Sequence, residues 1–484
     1  MNVIYGLNFD VRIVSLRILF ILCVAAFAVN ATGVRRIYVE LFATKEGAEK
    51  LRDDVIGELR KQSSVSVVAD ESSADLILGG GGEVWVKGYR SLNPRSGRLP
   101  SDGTPVYDGY LSVELRDKKG ETLWSYLVTP ATGSGDVSKA LARRIAKQLA
   151  DALEHDPGPA RPATPAAGDP ITLKGAGATF PYPVYEKWFA NYRRENPNVE
   201  IAYDPVGSGA GIRRLLAGET DFGTSDSPDA IHEIAPGDEE KYLFFPAVVG
   251  AVVPIVNLPG FAGDIVCTPE ALAGIYLGKI TKWNDPVLRE ANRGLHLPDL
   301  DIVVVHRSDG SGTSYAWTDF FSKTSSEWKE RIGASLDPRW PTGKSASGND
   351  GVAKLVKEIG GSIGYVEYIY ALRNHLSYGK VRNRNGEYVE ASLESIAAAT
   401  KQSIIGDDLK ASIVNASGAG AYPIASFTWF VVPVHISSNA KRQAIASFLK
   451  WMLGPGQTQA AALGYLGLPR DLVSREQAAL ARIQ

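Results

Sequence analysis

Apolar and polar positions alternate in short runs at the start of the chain and then recur at helical spacing. Ile37-Tyr-Val-Glu-Leu-Phe42 predicts a strand. Across Lys45 to Lys61, Ala48, Leu51, Val55, Ile56 and Leu59 recur on one helical face. Val65-Ser-Val-Val68 is a second strand, followed by Leu76-Ile-Leu78 and Val84-Trp-Val86 on either side of Gly79-Gly-Gly-Gly82. Tyr110 to Leu115 and Thr122 to Leu127 flank Asp117-Lys-Lys-Gly120 as a hairpin. Val137 to Leu153 closes the unit with Leu141, Ile145, Leu149 and Leu153 on one face. The pattern predicts a small α/β domain over 35–155. Its four-glycine run lacks the Lys-Ser/Thr and the following helix of a phosphate loop, so it reads as a flexible bend or bulge.

Residues 156–170 carry no apolar period and are rich in Pro and Ala, an extended spacer between independently folding parts. From Ile171 onward strands and helices alternate, which predicts α/β layers with mostly parallel sheets. Pro183 to Tyr192 and Ile212 to Ala217 read as helices, and Val199 to Tyr203 and Asp221 to Asp226 as strands or strand ends. The long apolar run Phe244 to Val256 and the segment Ala425 to Val434 are the strongest strand signals. Ala440 to Leu453 is an amphipathic helix.

At 484 residues the chain has room for about three domains. A net charge of -2, with no basic stripe interleaved with aromatics, excludes nucleic acid as a partner on electrostatic grounds. Arg12 and Arg17, the apolar run Ile18 to Ala26 and the small-x-small end Ala26-Phe-Ala28 describe a secretory signal peptide over 1–31, or an uncleaved N-terminal anchor. Export places the protein outside the cytoplasmic membrane. Cleavage would leave Cys267 as the mature chain's one cysteine, with no internal disulfide.

Three glycine loops sit where predicted strands run into helices: Gly175-Ala-Gly-Ala-Thr-Phe180, Val206-Gly-Ser-Gly-Ala-Gly211 and Arg307-Ser-Asp-Gly-Ser-Gly-Thr-Ser314. In open α/β sheets ligands collect beyond the carboxyl ends of strands. A helix start adds unpaired N–H groups and partial positive charge. Thr179 offers a hydroxyl and Phe180 a backbone N–H, Ser208 stands at an N-cap, and Ser311, Gly312 and Thr313 add hydroxyls and amides beside the Arg307 guanidinium. Each loop alone is equally a capped helix after a tight turn; the set points to a compact oxyanion. Asp226 decides which one. A carboxylate in an anion pocket is repulsive unless the guest brings a proton to donate, as hydrogen phosphate does and sulfate does not. Asp309 is placed to hold Arg307 in register. Bonds to charged groups, at about 1.5–3 kcal/mol each, suffice for the roughly 8 kcal/mol of micromolar binding.

These motifs, with Gly348-Asn-Asp-Gly351, Tyr276-Leu-Gly-Lys-Ile280 and Ile363-Gly-Tyr-Val-Glu-Tyr368, resemble in content and order the phosphate-binding protein of bacterial ABC phosphate transporters over about 171–470. The resemblance implies a two-lobed, Venus-flytrap periplasmic receptor of the type II binding-protein fold, preceded by the small α/β domain. It implies one lobe from 171–252 plus 421–484 and another from 253–420. The ligand contacts it implies are Thr179, Phe180, Ser208, Asp226, Arg307, Ser311, Gly312 and Thr313, with Asp309 supporting Arg307. It calls for no cofactor and no metal. The implied partners are inorganic phosphate and the membrane permease subunits of an ABC importer. The 35–155 domain is not part of the usual receptor; no residue in it carries chemistry, and it is expected to touch an unidentified envelope component. His306 departs from the family pattern.

Two other functions stand beside transport. One is a tethered phosphate sensor or scavenger. The other is a phosphate-ester hydrolase, which is disfavoured because Gly310-Ser-Gly-Thr313 lacks a nucleophile-elbow frame and His306 is the sole histidine near a loop.

Overall fold

The computed structural model describes residues 34–42, 48–90, 104–130, 135–154, 170–259, 264–401 and 403–484. The leader, residues 45–47 of the first predicted helix and all of the Pro/Ala linker except residue 170 lie outside them. Two hydrophobic cores organise the described chain.

The first core belongs to a five-stranded sheet in the order β2-β1-β3-β4-β5, built from β1 (Arg35–Val39), β2 (Val65–Val68), β3 (Leu76–Arg90), β4 (Thr104–Arg116) and β5 (Thr122–Val128). The alternation in β4 sends Leu111, Val113 and Leu115 to one face, where they are buried. The helices Ala48–Leu59 and Val137–Glu154 cover that face with Leu51, Val55, Leu141, Ile145 and Leu149.

The glycine run is not a bend. Gly79 to Gly82 continue straight through β3, each paired with a residue of β4 from Glu114 to Leu111; the register shifts only later, between Val86 and Gly88. The run is needed because the strands come too close for side chains: a Cβ on Gly80 would stand 2.3 Å from the Ser112 carbonyl oxygen.

The second core surrounds a nine-stranded sheet. Its strands are β6 (Ile171–Gly177), β7 (Val199–Asp204), β8 (Phe222–Ser225), β9 (Tyr242–Asn257), β11 (Val303–Arg307), β12 (Lys344–Ala346), β13 (Ser362–Glu367), β14 (Ser377–Tyr378) and β17 (Ala425–Pro433). The order is β12-β11-β13-β9-β17-β8-β6-β7, with β14 also on β9. Short strands β10 (Val266–Cys267), β15 (Lys380–Arg382) and β16 (Tyr388–Val389) make a separate small sheet. The large sheet is parallel at its two ends (β7-β6-β8 and β12-β11-β13), but β9 and β17 run antiparallel between them. An alternating strand–helix pattern does not show that reversal, since chain direction enters only through tertiary pairing.

These two parallel ends are the sheets of two lobes. Strand β9 serves both, because it is apolar and buried along nearly its whole length. It pairs with β17 as far as Ala251 and with β13 from Val252 onward. The Val252 N–H, at the change of partner, donates to the Ile424 carbonyl at 2.9 Å.

Candidate functional site

All three glycine loops meet in the cleft between the lobes. From one lobe come Thr179 and Phe180, just before the helix Tyr182–Glu195, then the helix Ser208–Leu216, and Asp226 at the end of β8. From the other come Arg307 at the end of β11 and the helix Gly312–Thr324, capped by the Ser311 hydroxyl, which accepts from the Ser314 N–H at 3.1 Å. Ser208 is one residue further in than an N-cap. Gly207 takes that position at φ 92, a left-handed conformation that disfavours side chains.

The cleft is shut, and glycines let it shut. A Cβ on Gly207 would lie 2.3 Å from an Asp309 carboxylate oxygen of the opposite lobe, and one on Gly312 would lie 2.5 Å from Asp226. Across the same gap the Gly209 N–H donates to the Gly310 carbonyl at 2.8 Å, and the Tyr315 hydroxyl to Asp229 at 2.7 Å. The Leu336 N–H donates to Glu233 at 2.9 Å.

Inside, the polar side chains are almost completely dry: Thr179, Ser208, Asp226, Arg307, Ser311 and Thr313 are all buried. The Arg307 guanidinium is held on one edge by Asp309, through Nε to Oδ1 at 2.8 Å and through Nη2 to Oδ2. Burial raises the Asp309 carboxyl, but the bonds and charge of Arg307, with the Gly348 N–H, outweigh it and hold the group below the ordinary carboxylate range.

The hydroxyls share one arrangement. Ser208 Oγ accepts the Gly312 N–H at 3.1 Å and the Asp226 N–H at 3.4 Å. Thr179 Oγ1 and Thr313 Oγ1 both accept from Asn349 Nδ2, at 2.9 and 3.2 Å. Arg307 Nη1 also donates to Thr313 Oγ1, at 3.4 Å. A hydroxyl that accepts from the protein keeps its own hydrogen to give. Ser208, Ser311, Thr179 and Thr313 are therefore all set as donors to a guest.

Asp226 is the exception in this ring of donors. It is 1 % exposed, and neither of its side-chain oxygens has a hydrogen-bond partner. Burial pushes its carboxyl up to about 7, against smaller opposing effects of the neighbouring Thr428 hydroxyl and the Arg307 charge. A buried carboxylate without a partner is costly, which marks a group with a task other than stability.

Sequence reasoning did not assign Asn349. It begins the helix Gly348–Glu358, donates to a threonine of each lobe, and accepts the Glu367 N–H at 2.9 Å. Its signal was present, since Gly348-Asn-Asp-Gly351 is a fourth glycine-marked strand-to-helix junction. His306 lies beside the site but takes no part in the ring. It stacks on Trp340 with centroids 5.0 Å apart, and its Nδ1 is 3.0 Å from the Arg307 carbonyl.

Residues 162–455 match the family model of the PBP superfamily domain. The phosphate-binding protein PstS of Pasteurella multocida is 40% identical over 312 residues, covering 63% of this chain and 89% of the relative. The chain belongs to the PstS phosphate-binding protein family. The PstS of Xylella fastidiosa (strain Temecula1) is 42% identical over 311 residues, covering 64% of this chain and 84% of the relative. Among solved structures, a high affinity periplasmic phosphate-binding protein (PfluDING) bound with phosphate aligns with a TM-score of 0.52 at 20% identity. That alignment covers 64% of this chain and 94% of the other, and at such identity it speaks for the two-lobed fold. The N-terminal five-stranded sheet lies outside the residues that match the PBP superfamily domain.

Proposed function

We propose that this chain binds inorganic phosphate, as hydrogen phosphate or dihydrogen phosphate, outside the cytoplasmic membrane and delivers it to the permease subunits of an ABC importer, without chemical turnover. The observation that carries the reading is Asp226, a buried carboxylate without a partner, beside a ring of amides, hydroxyls and a guanidinium set to donate. A tetrahedral oxyanion accepts from the amides, hydroxyls and guanidinium, and its remaining proton goes to Asp226. Phosphate meets both demands; sulfate meets only the first. The proposed contacts are Thr179, Phe180, Ser208, Asp226, Arg307, Ser311, Gly312 and Thr313, with Asp309 and Asn349 positioning them.

The change of partner along β9 between Ala251 and Val252, with the Ile424 contact beside it, supports lobes of 171–252 plus 421–484 and 253–420. Export rests on the sequence of the leader, and no helix among the described residues is long and apolar enough to cross a membrane. Binding without hydrolysis is supported by the chemistry of the ring: Ser208 and Ser311 accept from backbone amides, and the imidazole of His306 is engaged elsewhere.

Equilibrium dialysis of the full chain with labelled phosphate tests the proposal. Arg307→Ala is expected to abolish retention, and p-nitrophenyl phosphate is expected to survive incubation with the parent. Equal retention by parent and variant would refute the site; hydrolysis that is lost in Ser311→Ala would make the protein an enzyme.

A further inference from the structure

The N-terminal unit is bonded to both lobes, and the two sets of bonds differ in kind. Toward the lobe that ends the chain most of them run to the main chain, with one ion pair, Lys187 to Glu114, beside them. Ser112 Oγ donates to the Ala462 carbonyl at 2.7 Å, and Ser125 Oγ to the Thr458 carbonyl at 2.5 Å while accepting the Ala462 N–H at 3.1 Å. Thr458 Oγ1 returns a bond to the Thr122 carbonyl at 2.9 Å. Leu127 of β5 is counted in the receptor's hydrophobic core rather than in its own domain's. This side is a fixed seat.

Toward the other lobe the buried Tyr368 hydroxyl donates to Thr129 Oγ1 at 3.3 Å, and the remaining bonds are made by the ends of long side chains. Lys87 Nζ reaches Asp264 at 2.8 Å. Arg144 Nη2 and the Tyr126 hydroxyl both donate to Glu394, at 2.9 and 3.2 Å. His375 stacks on Trp85 with centroids 4.2 Å apart, and its Nε2 is 3.2 Å from Glu83. The partly exposed Arg144–Glu394 pair is of a kind that is individually weak, while Lys87 is more enclosed.

The lobes are taken to pivot where β9 changes partner, at Ala251 and Val252. A rotation that opens the cleft moves one lobe away from the other, and a unit seated on the first cannot stay bonded to both. Between seat and grip a cavity of about 180 Å³ is lined by Gly82, Tyr110 and Leu127 of the unit with Ile369, Arg373 and Leu463 of the receptor. It leaves room for the surfaces to slide.

We propose that residues 35–154 form a clasp across the hinge, which rides on the C-terminal lobe and grips the other only when the cleft is closed. The clasp thereby slows ligand release and makes the N-terminal unit a reporter of occupancy. This rests on the reading of the cleft as a phosphate site that opens and closes.

The test uses the full chain carrying Cys23→Ser, with spin labels on Cys introduced at Glu219 and Glu330, exposed positions on opposite lobes, and native Cys267 buried. Two pairs of substitutions loosen the grip at different contacts: Asp264→Ala with Glu394→Ala, and Lys87→Ala with His375→Ala. In each, the phosphate-free label distance is expected to lengthen relative to the parent. Phosphate release, followed by stopped flow against a trap, is expected to quicken about tenfold, or about 1.4 kcal/mol. Parent-like distances together with release within twofold of the parent in both pairs would overturn the clasp. If the parent binds no phosphate, the site reading fails, and the label distances alone still decide the clasp.

Discussion

Asp226→Asn separates hydrogen-bond recognition of phosphate from simple attraction of an anion. In the closed cleft the carboxyl is raised from 3.8 to about 7 by burial. That rise of about three pH units corresponds to about 4 kcal/mol by which the closed site disfavours the ionised form. On the proposed reading hydrogen phosphate relieves the penalty by donating its proton, whereas sulfate must either face the ionised carboxylate or take the proton of the raised carboxyl, which grows scarce as pH rises above about 7. The amide introduced by the substitution removes the charge and can turn its NH₂ toward a sulfate oxygen. The phosphate-over-sulfate preference is therefore expected to shrink by about 10²- to 10³-fold, mostly through sulfate gaining affinity, which is somewhat less than the full penalty allows.

Isothermal calorimetry with both anions reads this directly, and a ratio unchanged in the variant would refute the role of Asp226. The sign of the pH effect follows from the same group. Its closed-state value lies above its unfolded value, so the folded form binds the extra proton, and stability falls as pH rises from about 4 through about 7. The phosphate-free parent should melt at lower temperature at about pH 8 than at about pH 5, with a smaller drop in Asp226→Asn. An equal slope in both proteins would assign the pH dependence to other groups.

Two further substitutions test the supports of the site. Asn349→Ala frees the Thr179 hydroxyl to turn away, leaves Thr313 held by Arg307 alone and deprives the buried Glu367 N–H of its side-chain acceptor, so phosphate affinity should fall about 10- to 100-fold; calorimetry on the folded variant showing parent-like affinity would remove Asn349 from the account. Gly211→Ala places a Cβ 2.3 Å from the Gly177 Cα and 2.5 Å from the Ala176 carbonyl oxygen, forcing the helix that carries Ser208 off β6. Denaturant unfolding should show a loss of about 1–3 kcal/mol, and an unchanged midpoint would contradict the packing described.

The glycine loops could be read in the sequence because close approach of two lobes leaves no alternative to small residues, as Gly207 and Gly312 show against Asp309 and Asp226. The Arg307–Asp309 pair was readable because both ends lie in one loop. Asn349 was not assigned, because an Asn between glycines is ordinary turn chemistry until the two threonines it joins are brought to it from distant strands. The strand through Gly79 to Gly82 was misread for a related reason: glycine is a poor strand former, and only pairing with β4 overrides that preference. The seat of the N-terminal unit was hidden too. Ser112 stands between Tyr110 and Glu114 on the less buried face of β4, and Ser125 shares its face of β5 with Leu123 and Leu127; nothing in either strand names the Ala462 and Thr458 carbonyls as partners.

The account stands most directly on a titration of the full chain with phosphate, sulfate and arsenate near neutral pH. Saturable micromolar or tighter binding is expected for phosphate and for the equally protonated arsenate, with sulfate at least about 10³-fold weaker. Sulfate bound as tightly as phosphate, or no anion bound at all, would contradict the claim that Asp226 takes a proton from the guest.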